Sequence, residues 1–513
     1  MVAAWGEKSK RMKRSAFLIT VFSMMILNLP VAPAEPKGQV VVAQGVDPST
    51  LDPHNHQETP AFNILSNMFD HLLQRSPDLK IEPLLAESYQ LIDDKTWEFK
   101  LRKGIKFHNG EDFNAEAVKF SLERIANPDN KMKQFTSLKF IDHVDVVDAY
   151  TARIVTKEPF AALPAFLCLY GAIVPPQYVK EKGDTYIATH PVGTGPFKFV
   201  KWNKDDQLVM EANPSYFRGA PHVKTVVFRP IPEASTRLAA LLTGEVDIIT
   251  NVPPNLVPQI EGSGQAFIST APSVRVIFLG IDTLKGGPMA DKRVRQALNY
   301  AVDVNAIIQN VLEGHGFRVA TPLTKDHFGY NPNVKPYPYD PDKAKKLLAE
   351  AGYPDGLDLV LNSPDGRYLN DKQVAEAIAG QWQKVGIRTQ AKTHEWGNYV
   401  TMAYSRNAGP VYLLGWGNST YDADNTYFPW FHTGELLATY SHPEIDKLLE
   451  EARGTMDEAR RLELYHNVAE KLAEDAAWVF LYQQEDIYGA NNRLNWKARP
   501  DERLVMFDVA IKE

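Results

Sequence analysis

The stretch at residues 86–125, AESYQLIDDKTWEFKLRKGIKFHNGEDFNAEAVKFSLERI, predicts one strand, one turn and one helix. Apolar and polar side chains alternate through Trp97, Phe99 and Leu101, which is the period-two pattern of a half-buried strand. A turn is expected at the His-Asn-Gly sequence that starts at position 108, and Asn114 can then cap a helix. Apolar residues recur every three or four positions after that cap, so the helix should bury one face.

Strands and helices alternate along the rest of the chain, which predicts an α/β fold. Helices are expected directly after Asp291, Asp340, Asp371 and Asp457, because an aspartate at the N-cap accepts backbone hydrogen bonds. The helix after Asp371 should bury one apolar face, formed by Val374, Ile378, Trp382 and Val385. At 513 residues the chain exceeds the size of a single hydrophobic core, so two or more lobes are expected.

The first 34 residues predict a cleaved secretory signal peptide. Basic residues precede an apolar run at 16–29 that is too short for a stable membrane anchor, and Ala32-Pro33-Ala34 forms a small-x-small cleavage site. The mature chain is expected to begin near Glu35 in the periplasm. A permanent N-terminal anchor is the alternative interpretation, and Met12 is an alternative start codon.

Charge and cysteine content narrow the class of partner. The formal net charge of −7 becomes about −11 once the basic leader is removed, which argues against nucleic acid or an anionic membrane as partner. Cys168 is the sole cysteine, so the chain has neither an intrachain disulfide nor a lipid-acceptor cysteine at the cleavage site. It lies in an apolar stretch and is interpreted as a buried structural thiol. A freely soluble monomer is expected.

Residues 101–118 resemble the signature of the bacterial extracellular solute-binding proteins of family 5, which serve oligopeptide, dipeptide and nickel ABC importers. That signature combines LR-x-G-x-x-FH-x-G with a capped helix. The matching positions are Leu101-Arg102, Gly104, Phe107-His108, Gly110, Phe113, Ala115 and Val118. Asn109 departs mildly from the pattern, where an Asp is more usual. Further resemblance at 47–53, 191–197 and 291–303 extends over essentially the whole mature chain.

This resemblance implies a two-lobed periplasmic binding protein fold, class II-like with an extra subdomain, with an interlobe ligand cleft and a hinge. Lobe 1 is expected at residues 35–280, with an inserted subdomain at about 60–184 and a C-terminal completion at 490–513. Lobe 2 takes 281–489. The hinge is expected near Gly280 and Gly489, because glycine permits backbone rotation.

The segment at 411–431, VYLLGWGNSTYDADNTYFPWF, supplies most candidate binding residues. In the family the equivalent Gly-Trp segment lines the cleft and pairs with an extended peptide. The expected ligand contacts here are Trp416, Gly417, Asn418, Ser419, Thr420, Tyr421 and Asp422. Peptide binders of this type commonly carry an Asp three residues past the Trp, which holds the ligand ammonium, whereas this chain has Ser419. Asp422 or Asp424 can substitute only if the loop bends differently, and a turn with core aromatics is the alternative for the whole segment.

Arg367 and Tyr368 match a Gly-Arg-Tyr feature of several branches of the family, and an arginine there can clamp a carboxylate. A solvated loop arginine is the alternative. Further cleft candidates are Trp396, Tyr399 and His56. His54 and His56 form a His-x-His pair, but without a third ligand nearby they are interpreted as surface loop histidines.

The sequence therefore predicts the periplasmic solute-binding component of an ABC importer, which captures a small peptide or peptide-like solute and delivers it to an inner-membrane permease with its ATPase subunits. Motifs for a serine nucleophile, a zinc protease or a Walker loop are missing from the sequence, so neither an enzyme nor a cofactor or metal is predicted. The alternatives are an opine-like conjugate or a chelated metal such as nickel as ligand, or an interaction protein of chemoreceptor or chaperone type. Ser419 with Arg367 favours a ligand, such as a γ-linked peptide, whose carboxylate is recognised more strongly than its ammonium.

Overall fold

The computed structural model describes residues 36–512, and the predicted signal peptide with its cleavage site lies outside the described residues. The strands are β1 (Lys37–Gln44), β2 (Leu73–Arg75), β3 (Ile81–Pro83), β4 (Ala86–Asp93), β5 (Thr96–Leu101), β6 (Ile141–Asp148), β7 (Thr151–Thr156), β8 (Phe197–Asn203), β9 (Gln207–Ala212), β10 (Val223–Pro230), β11 (Ile248–Ile249), β12 (Ala266–Ile281), β13 (Gly316–Arg318), β14 (Leu357–Pro364), β15 (Ile387–His394), β16 (Val411–Gly417), β17 (Trp478–Asn491), β18 (Leu494–Asn495) and β19 (Ala510–Ile511). The helices are α1 (Thr59–Leu65), α2 (Ala115–Ala126), α3 (Phe135–Leu138), α4 (Leu163–Phe166), α5 (Pro176–Lys182), α6 (Asp184–Ile187), α7 (Ala234–Leu242), α8 (Val257–Glu261), α9 (Lys292–Tyr300), α10 (Val304–Asn310), α11 (Pro341–Glu350), α12 (Asp371–Gln383), α13 (Trp396–Tyr404), α14 (Asp424–Phe431), α15 (Pro443–Gly454) and α16 (Glu458–Glu474).

The strand-turn-helix unit predicted at residues 86–125 is confirmed. Strand β5 pairs with β4 and β7 in a four-stranded sheet of order β4-β5-β7-β6. The Asn114 side chain caps α2 by accepting the backbone N–H of Ala117 at 3.1 Å. The predicted apolar face of α2 is fully buried through Val118, Leu122 and Ile125. It forms the core of a subdomain whose buried residues extend from Leu72 to Ile173.

A single eleven-stranded sheet runs through both lobes in the order β15-β14-β16-β12-β17-β11-β1-β10-β9-β8, with β13 paired to β17. One end of this sheet, β1 and β8 to β11, carries the core of lobe 1 on its two faces. The other end, β14 to β16, carries the core of lobe 2. The long strands β12 and β17 belong to both ends, so they are the two connections between the lobes.

The pairing of β12 with β17 is interrupted in the middle of both strands. Residues 266–272 of β12 pair with 485–491 of β17, and pairing resumes only at Val276, opposite Gln483. The Gln483 side chain bridges this gap by donating to the Ser273 carbonyl at 2.7 Å. A bulge of this kind bends a strand pair locally. The interruption, and with it the bend, lies at 273–275 and 484.

Gly280 and Gly489, where the hinge was expected, lie inside regular pairing on either side of this bulge. A Cβ atom on Gly280 would come within 2.3 Å of the Tyr412 ring, and one on Gly489 within 2.7 Å of the Leu241 side chain. These glycines are therefore explained by close packing rather than by rotation. The lobe boundaries remain a prediction, but the bulge is the natural point of bending.

Helices in lobe 2 begin where the aspartates predict. Asp291, Asp340 and Asp457 each accept a backbone N–H in the first turn of the following helix. The apolar face predicted for α12 is buried, and β15 packs behind it. Cys168, in lobe 1, is partly buried, and burial raises its pKa to about 12, in keeping with a structural thiol. No helix within residues 36–512 combines the length and the apolar character needed to cross a membrane.

Candidate functional site

Arg367 is presented by the loop between β14 and α12, and Asp371 fixes that loop. The Asp371 carboxylate accepts the backbone N–H groups of Gly366, Arg367 and Tyr368, each at 2.9 Å. An aspartate that collects several neighbouring backbone donors stabilises a tight turn through local sequence alone. The position of Arg367 is thus encoded by the residues that surround it.

The Arg367 guanidinium lies between two aromatic rings and forms no ion pair. Its Cζ atom is 5.0 Å from the centre of the Tyr368 ring and 5.1 Å from that of Trp396. Burial, with the nearby charge of Arg275, lowers the pKa of Arg367. Within residues 36–512 no carboxylate lies close enough to pair with it, although Glu502 and Asp486 act on it from further away. A half-buried cation without an ion pair is only partly solvated, so the site is suited to an anionic group from outside the chain.

Lobe 1 presents a second arginine of the same kind. The Cζ atom of Arg503 lies 4.2 Å from the centre of the Phe62 ring, which in turn packs edge-on against His56 at 4.4 Å. Burial lowers the pKa of Arg503 to about 10. Its sequence neighbours Asp501 and Glu502 are bonded to other arginines, so the described chain offers Arg503 no ion pair either.

Tyr404 indicates a recess beside Arg367. It retains 43% of its surface exposed, yet burial raises its pKa to about 12. Both observations hold for a side chain that faces a recess walled by protein. The groups that act on it come from both lobes: Arg367 and Tyr368 on one side and Tyr170 on the other. The Tyr170 hydroxyl also interacts with the side chain of Asn425 from lobe 2.

Two carboxylates lie beside the recess in different states of pairing. Glu502 accepts from the Arg275 guanidinium at 2.7 Å and from the Ser273 hydroxyl at 2.7 Å, and these contacts lower its pKa. Asp486, on β17, accepts from Gln484 through Oδ1 at 2.8 Å, whereas its buried Oδ2 has no hydrogen-bond partner in the described chain. Burial and the neighbouring charge of Glu502 raise the pKa of Asp486 to about 8.

The predicted segment at 416–422 divides into exposed and internally bonded residues. Trp416, Gly417 and Ser419 are partly exposed. Asn418 and Thr420 are buried and bond within the loop, where the Thr420 hydroxyl donates to Asn418 Oδ1 at 2.7 Å. The backbone of β16 pairs with β14 only as far as Tyr412, so its outer edge from 413 to 417 is free of strand partners within the described residues. Side-chain hydroxyls occupy part of this edge, since Tyr399 donates to the Leu413 carbonyl at 2.6 Å and Tyr368 to the Gly415 carbonyl at 3.2 Å, so an extended ligand could pair only beyond Gly415.

Neither predicted substitute for the missing Asp at position 419 is free. Asp422 forms a bidentate pair with Arg461 at 2.6 and 2.8 Å, and Asp424 forms one with Arg453 at 2.8 and 2.9 Å. The loop does not bend so as to present either carboxylate to the recess. Tyr399 is likewise fully buried, and its hydroxyl donates to the Leu413 carbonyl at 2.6 Å.

The interpretation of His54 and His56 as surface loop histidines is wrong. Both are almost completely buried, because Asp52 and Arg124 draw the loop inward. His54 bonds to the Ala172 carbonyl at 2.7 Å, and burial lowers its pKa to about 4. His56 packs against Phe62, and burial lowers its pKa to about 3. Residues 36–512 contain no cluster of three or more His, Cys, Asp or Glu side chains that could hold a metal ion.

The lobes touch each other on both sides of the recess. Arg75 of lobe 1 donates to the Thr420 carbonyl and lies over the Tyr421 ring, with its Cζ atom 5.0 Å from the ring centre. Lys139 of the subdomain pairs with Glu435 of lobe 2 at 3.1 Å. These contacts join residues of the two expected lobes.

Residues 80–436 match the family described as bacterial extracellular solute-binding proteins, family 5 middle. The chain belongs to this family. The glutathione-binding protein GsiB of Pectobacterium atrosepticum is 32% identical over 487 residues, which cover 92% of this chain and 94% of that protein.

Solved structures of family 5 type share the two-lobed fold. The periplasmic binding protein DppA from Helicobacter pylori in complex with the peptide STSA matches with a TM-score of 0.84 at 28% identity, over 93% of this chain and 98% of that one. AgaA from A. tumefaciens R10 in complex with agropinic acid matches with a TM-score of 0.81 at 28% identity, over 93% and 99%. The protein is therefore a family 5 solute-binding protein of an ABC importer, and its relatives are solute-binding proteins.

For this solute-binding protein, sequence reasoning missed three of the residues around the recess, Tyr404, Asp486 and Arg503. Tyr404 ends α13, the helix that also carries the predicted residues Trp396 and Tyr399, so its aromatic character was an available signal. Asp486 lies at the end of the range expected for lobe 2 and Arg503 lies in the C-terminal tail, where no local sequence signal marks either residue.

Proposed function

We propose that this protein captures a small peptide or peptide-like solute that carries at least two carboxylates, with glutathione as the first candidate. The observation that carries the proposal is that Arg367 from lobe 2 and Arg503 from lobe 1 each lie over an aromatic ring without an ion pair in the described chain, and that both lie within reach of the charge of Glu502. A ligand with a carboxylate for each would bridge the lobes and stabilise the closed form, which is the form a permease distinguishes from the open one.

The surroundings of the arginines fit such a ligand. Trp396 and Trp416 provide partly exposed flat apolar surface, and the edge of β16 beyond Gly415 can pair with an amide backbone. The relatives point the same way, because GsiB is a glutathione-binding protein and DppA was solved with a peptide. The Trp416, Gly417, Ser419, Arg367, Tyr368 and Trp396 predictions are retained in this proposal, joined by Arg503, Tyr404 and Asn425, whereas the buried His56 supports Phe62 behind Arg503. Asn418, Thr420, Tyr421, Asp422 and Tyr399 support the walls of the site.

The test is isothermal titration of the purified protein with reduced glutathione, oxidised glutathione and tetra-alanine. We expect saturable one-to-one binding of glutathione, and a marked loss of affinity in Arg367→Gln and Arg503→Gln. Arg388→Gln is the matched control, because Arg388 lies on the surface of lobe 2 and pairs with Asp358. Absence of binding for every peptide and glutathione form would contradict the proposal, as would unchanged affinity in both variants.

An opine-type conjugate is the second candidate, supported by the likeness to AgaA in complex with agropinic acid. Such a compound belongs in the same titration series. Tighter binding of the opine than of any peptide would make an opine-type conjugate the first candidate ligand and a peptide the second.

We further propose the cellular location, oligomeric state and transport partners of the protein. It acts as a monomer without catalysis, is exported to the periplasm by removal of residues 1–34, and delivers its ligand to an inner-membrane permease and its ATPase subunits. Intact-mass measurement of the periplasmic protein tests the cleavage after Ala34, and light scattering tests the monomer. Peptidase activity on the bound tripeptide, seen as new products in the same mass spectrum, would contradict the absence of catalysis.

A further inference from the structure

The subdomain and lobe 2 meet through polar side chains, while their hydrophobic cores stay separate. The buried core of the subdomain extends from Leu72 to Ile173, and a core of lobe 2 is built mainly from residues between Tyr399 and Phe480. Within residues 36–512 no buried apolar residue belongs to both cores. A polar interface between separate cores is typical of parts of a chain that move relative to each other. The contacts across this interface therefore bear on how the lobes open and close.

The first contact is made by Arg75, at the end of β2 in the subdomain. Its guanidinium donates to the Thr420 carbonyl and lies over the Tyr421 ring, with the Cζ atom 5.0 Å from the ring centre. The Tyr421 ring also stacks on the His327 ring at 5.1 Å, so lobe 2 holds it in place. Arg75 itself is held in the subdomain, where it donates to the Leu79 carbonyl at 2.5 Å. It thus connects β2 to the loop that follows β16.

Two further contacts cross the same interface. Lys139, directly after α3, donates from Nζ to both carboxylate oxygens of Glu435 in lobe 2, at 3.1 and 3.3 Å. Its side chain is 38% exposed and that of Glu435 is 23% exposed. A partly exposed ion pair changes an equilibrium by up to about fivefold. The Cζ atom of Arg453 in lobe 2 lies 5.7 Å from the centre of the Phe160 ring in the subdomain, which is a weaker contact.

We propose that Arg75 with Tyr421, and Lys139 with Glu435, form an interlobe clasp that favours closure independently of the solute. Each contact joins two residues of the chain itself, so it forms whenever the lobes meet. A contact that exists only in the closed form shifts the equilibrium toward that form. Arginine and lysine have several rotatable bonds and can keep such contacts over a range of lobe angles. The clasp therefore promotes closure and leaves the final angle to the ligand.

The clasp predicts a contribution to affinity that is the same for every solute. A residue that contacts the ligand affects different ligands differently. The clasp acts only on the fraction of protein that is closed, so weakening it should weaken all ligands by one factor. Lys139 and Glu435 do not belong to the proposed ligand contacts, and they are the residues to change.

The deciding experiment measures closure without any ligand. The purified protein is unfolded and refolded to release retained small molecules, and small-angle X-ray scattering gives its radius of gyration. Arg75→Met combined with Lys139→Glu removes both main contacts and should increase this radius. Lys95→Glu is the matched control and should leave it unchanged, because Lys95 pairs with Glu158 at 2.9 Å within the subdomain. An unchanged radius in the combined variant would overturn the inference.

Exchange of the two charges tests the ion pair itself. Lys139→Glu should weaken glutathione and agropinic acid by the same factor, about threefold to tenfold, because two carboxylates then face each other. Lys139→Glu with Glu435→Lys should restore both affinities. A loss for one ligand alone, or a failure of the exchange to restore binding, would overturn the inference. If neither compound binds, the proposed function fails, and the scattering of the same variants still decides on the clasp.

Discussion

Lobe 2 contains buried charges in two arrangements, and the difference between them separates folding from function. Behind the 416–422 segment, Asp422 and Asp424 are each satisfied by an arginine in two hydrogen bonds. At the recess, Arg367 is half-buried between aromatic rings without an ion pair in the described chain, and Arg503 of lobe 1 is half-buried over Phe62 in the same state. The first arrangement is complete within the chain. The second lacks an anion until a ligand binds. The favourable ionic interaction that folding leaves unformed at Arg367 can therefore contribute to the free energy of ligand binding.

The largest expected effect comes from breaking a complete pair. Arg461→Met leaves the Asp422 carboxylate buried without its partner and should lower the free energy of unfolding by about 3–5 kcal/mol. Chemical denaturation measures this loss. The double variant Arg461→Met with Asp422→Leu should recover much of it, because no charge is then left buried. A single variant within 1 kcal/mol of the natural protein would show that the pair is not structural.

Removing an incomplete charge should have the opposite signature. Arg367→Gln is expected to lower affinity for glutathione by about 2–4 kcal/mol, while the unliganded protein keeps or gains stability because a buried unpaired cation is gone. Titration gives the first quantity and denaturation the second. If Arg367→Gln lowers the free energy of unfolding as much as the free energy of binding, Arg367 has a structural role like that of Arg461 and Arg453. The two arrangements of charge would then not differ in function.

Asp70 is an intermediate case, since its two oxygens are satisfied by neutral hydroxyls, those of Tyr216 at 2.9 Å and Thr194 at 2.8 Å. Burial raises its pKa to about 6, above its usual value of 3.8. A raised folded pKa gives a stabilising contribution that is fully present below pH 3.8 and is lost as the pH rises through 6. Asp70→Asn should therefore gain stability relative to the natural protein between pH 4 and pH 7, by on the order of 2–3 kcal/mol. A stability difference that is flat over this range contradicts the assignment.

The smallest effect is expected at an uncharged wall of the recess. Trp416 is partly exposed, packs edge-on against Trp430 at 5.5 Å and donates from its indole to the Asn425 carbonyl at 3.1 Å. Trp416→Phe should reduce affinity by about 1 kcal/mol through lost contact area. Trp202→Phe in lobe 1, whose indole bonds to Asp47, is the matched control. A loss as large as that of Arg367→Gln would mean that apolar contact rather than charge dominates binding.

The fold was predictable because its signals are local. Asn114 caps α2 through a residue three positions away, and the α12 face repeats within one helix. The site was predictable only where the same holds, as at Arg367, whose loop is tied by Asp371. Asp422 looked available in the sequence because its partner Arg461 lies 39 residues further along. The hinge at Gly280 and Gly489 stays a prediction, because a glycine required by packing and one required by rotation are identical in sequence.

The continuous strands β12 and β17 determine what kind of motion the protein can perform. Two neighbouring strands that are hydrogen-bonded to each other can bend perpendicular to the sheet, but their hydrogen bonds resist stretching and sliding. We expect the strand pair to bend where its pairing is interrupted, at 273–275 and 484. Bending there would change mainly one angle, the angle between the two lobes. The bound ligand would then determine the angle between the lobes. The distance between the two carboxylates of the ligand would fix that angle. A permease that contacts both lobes would then distinguish ligands of different length through the angle between the lobes, without contacting the ligand itself.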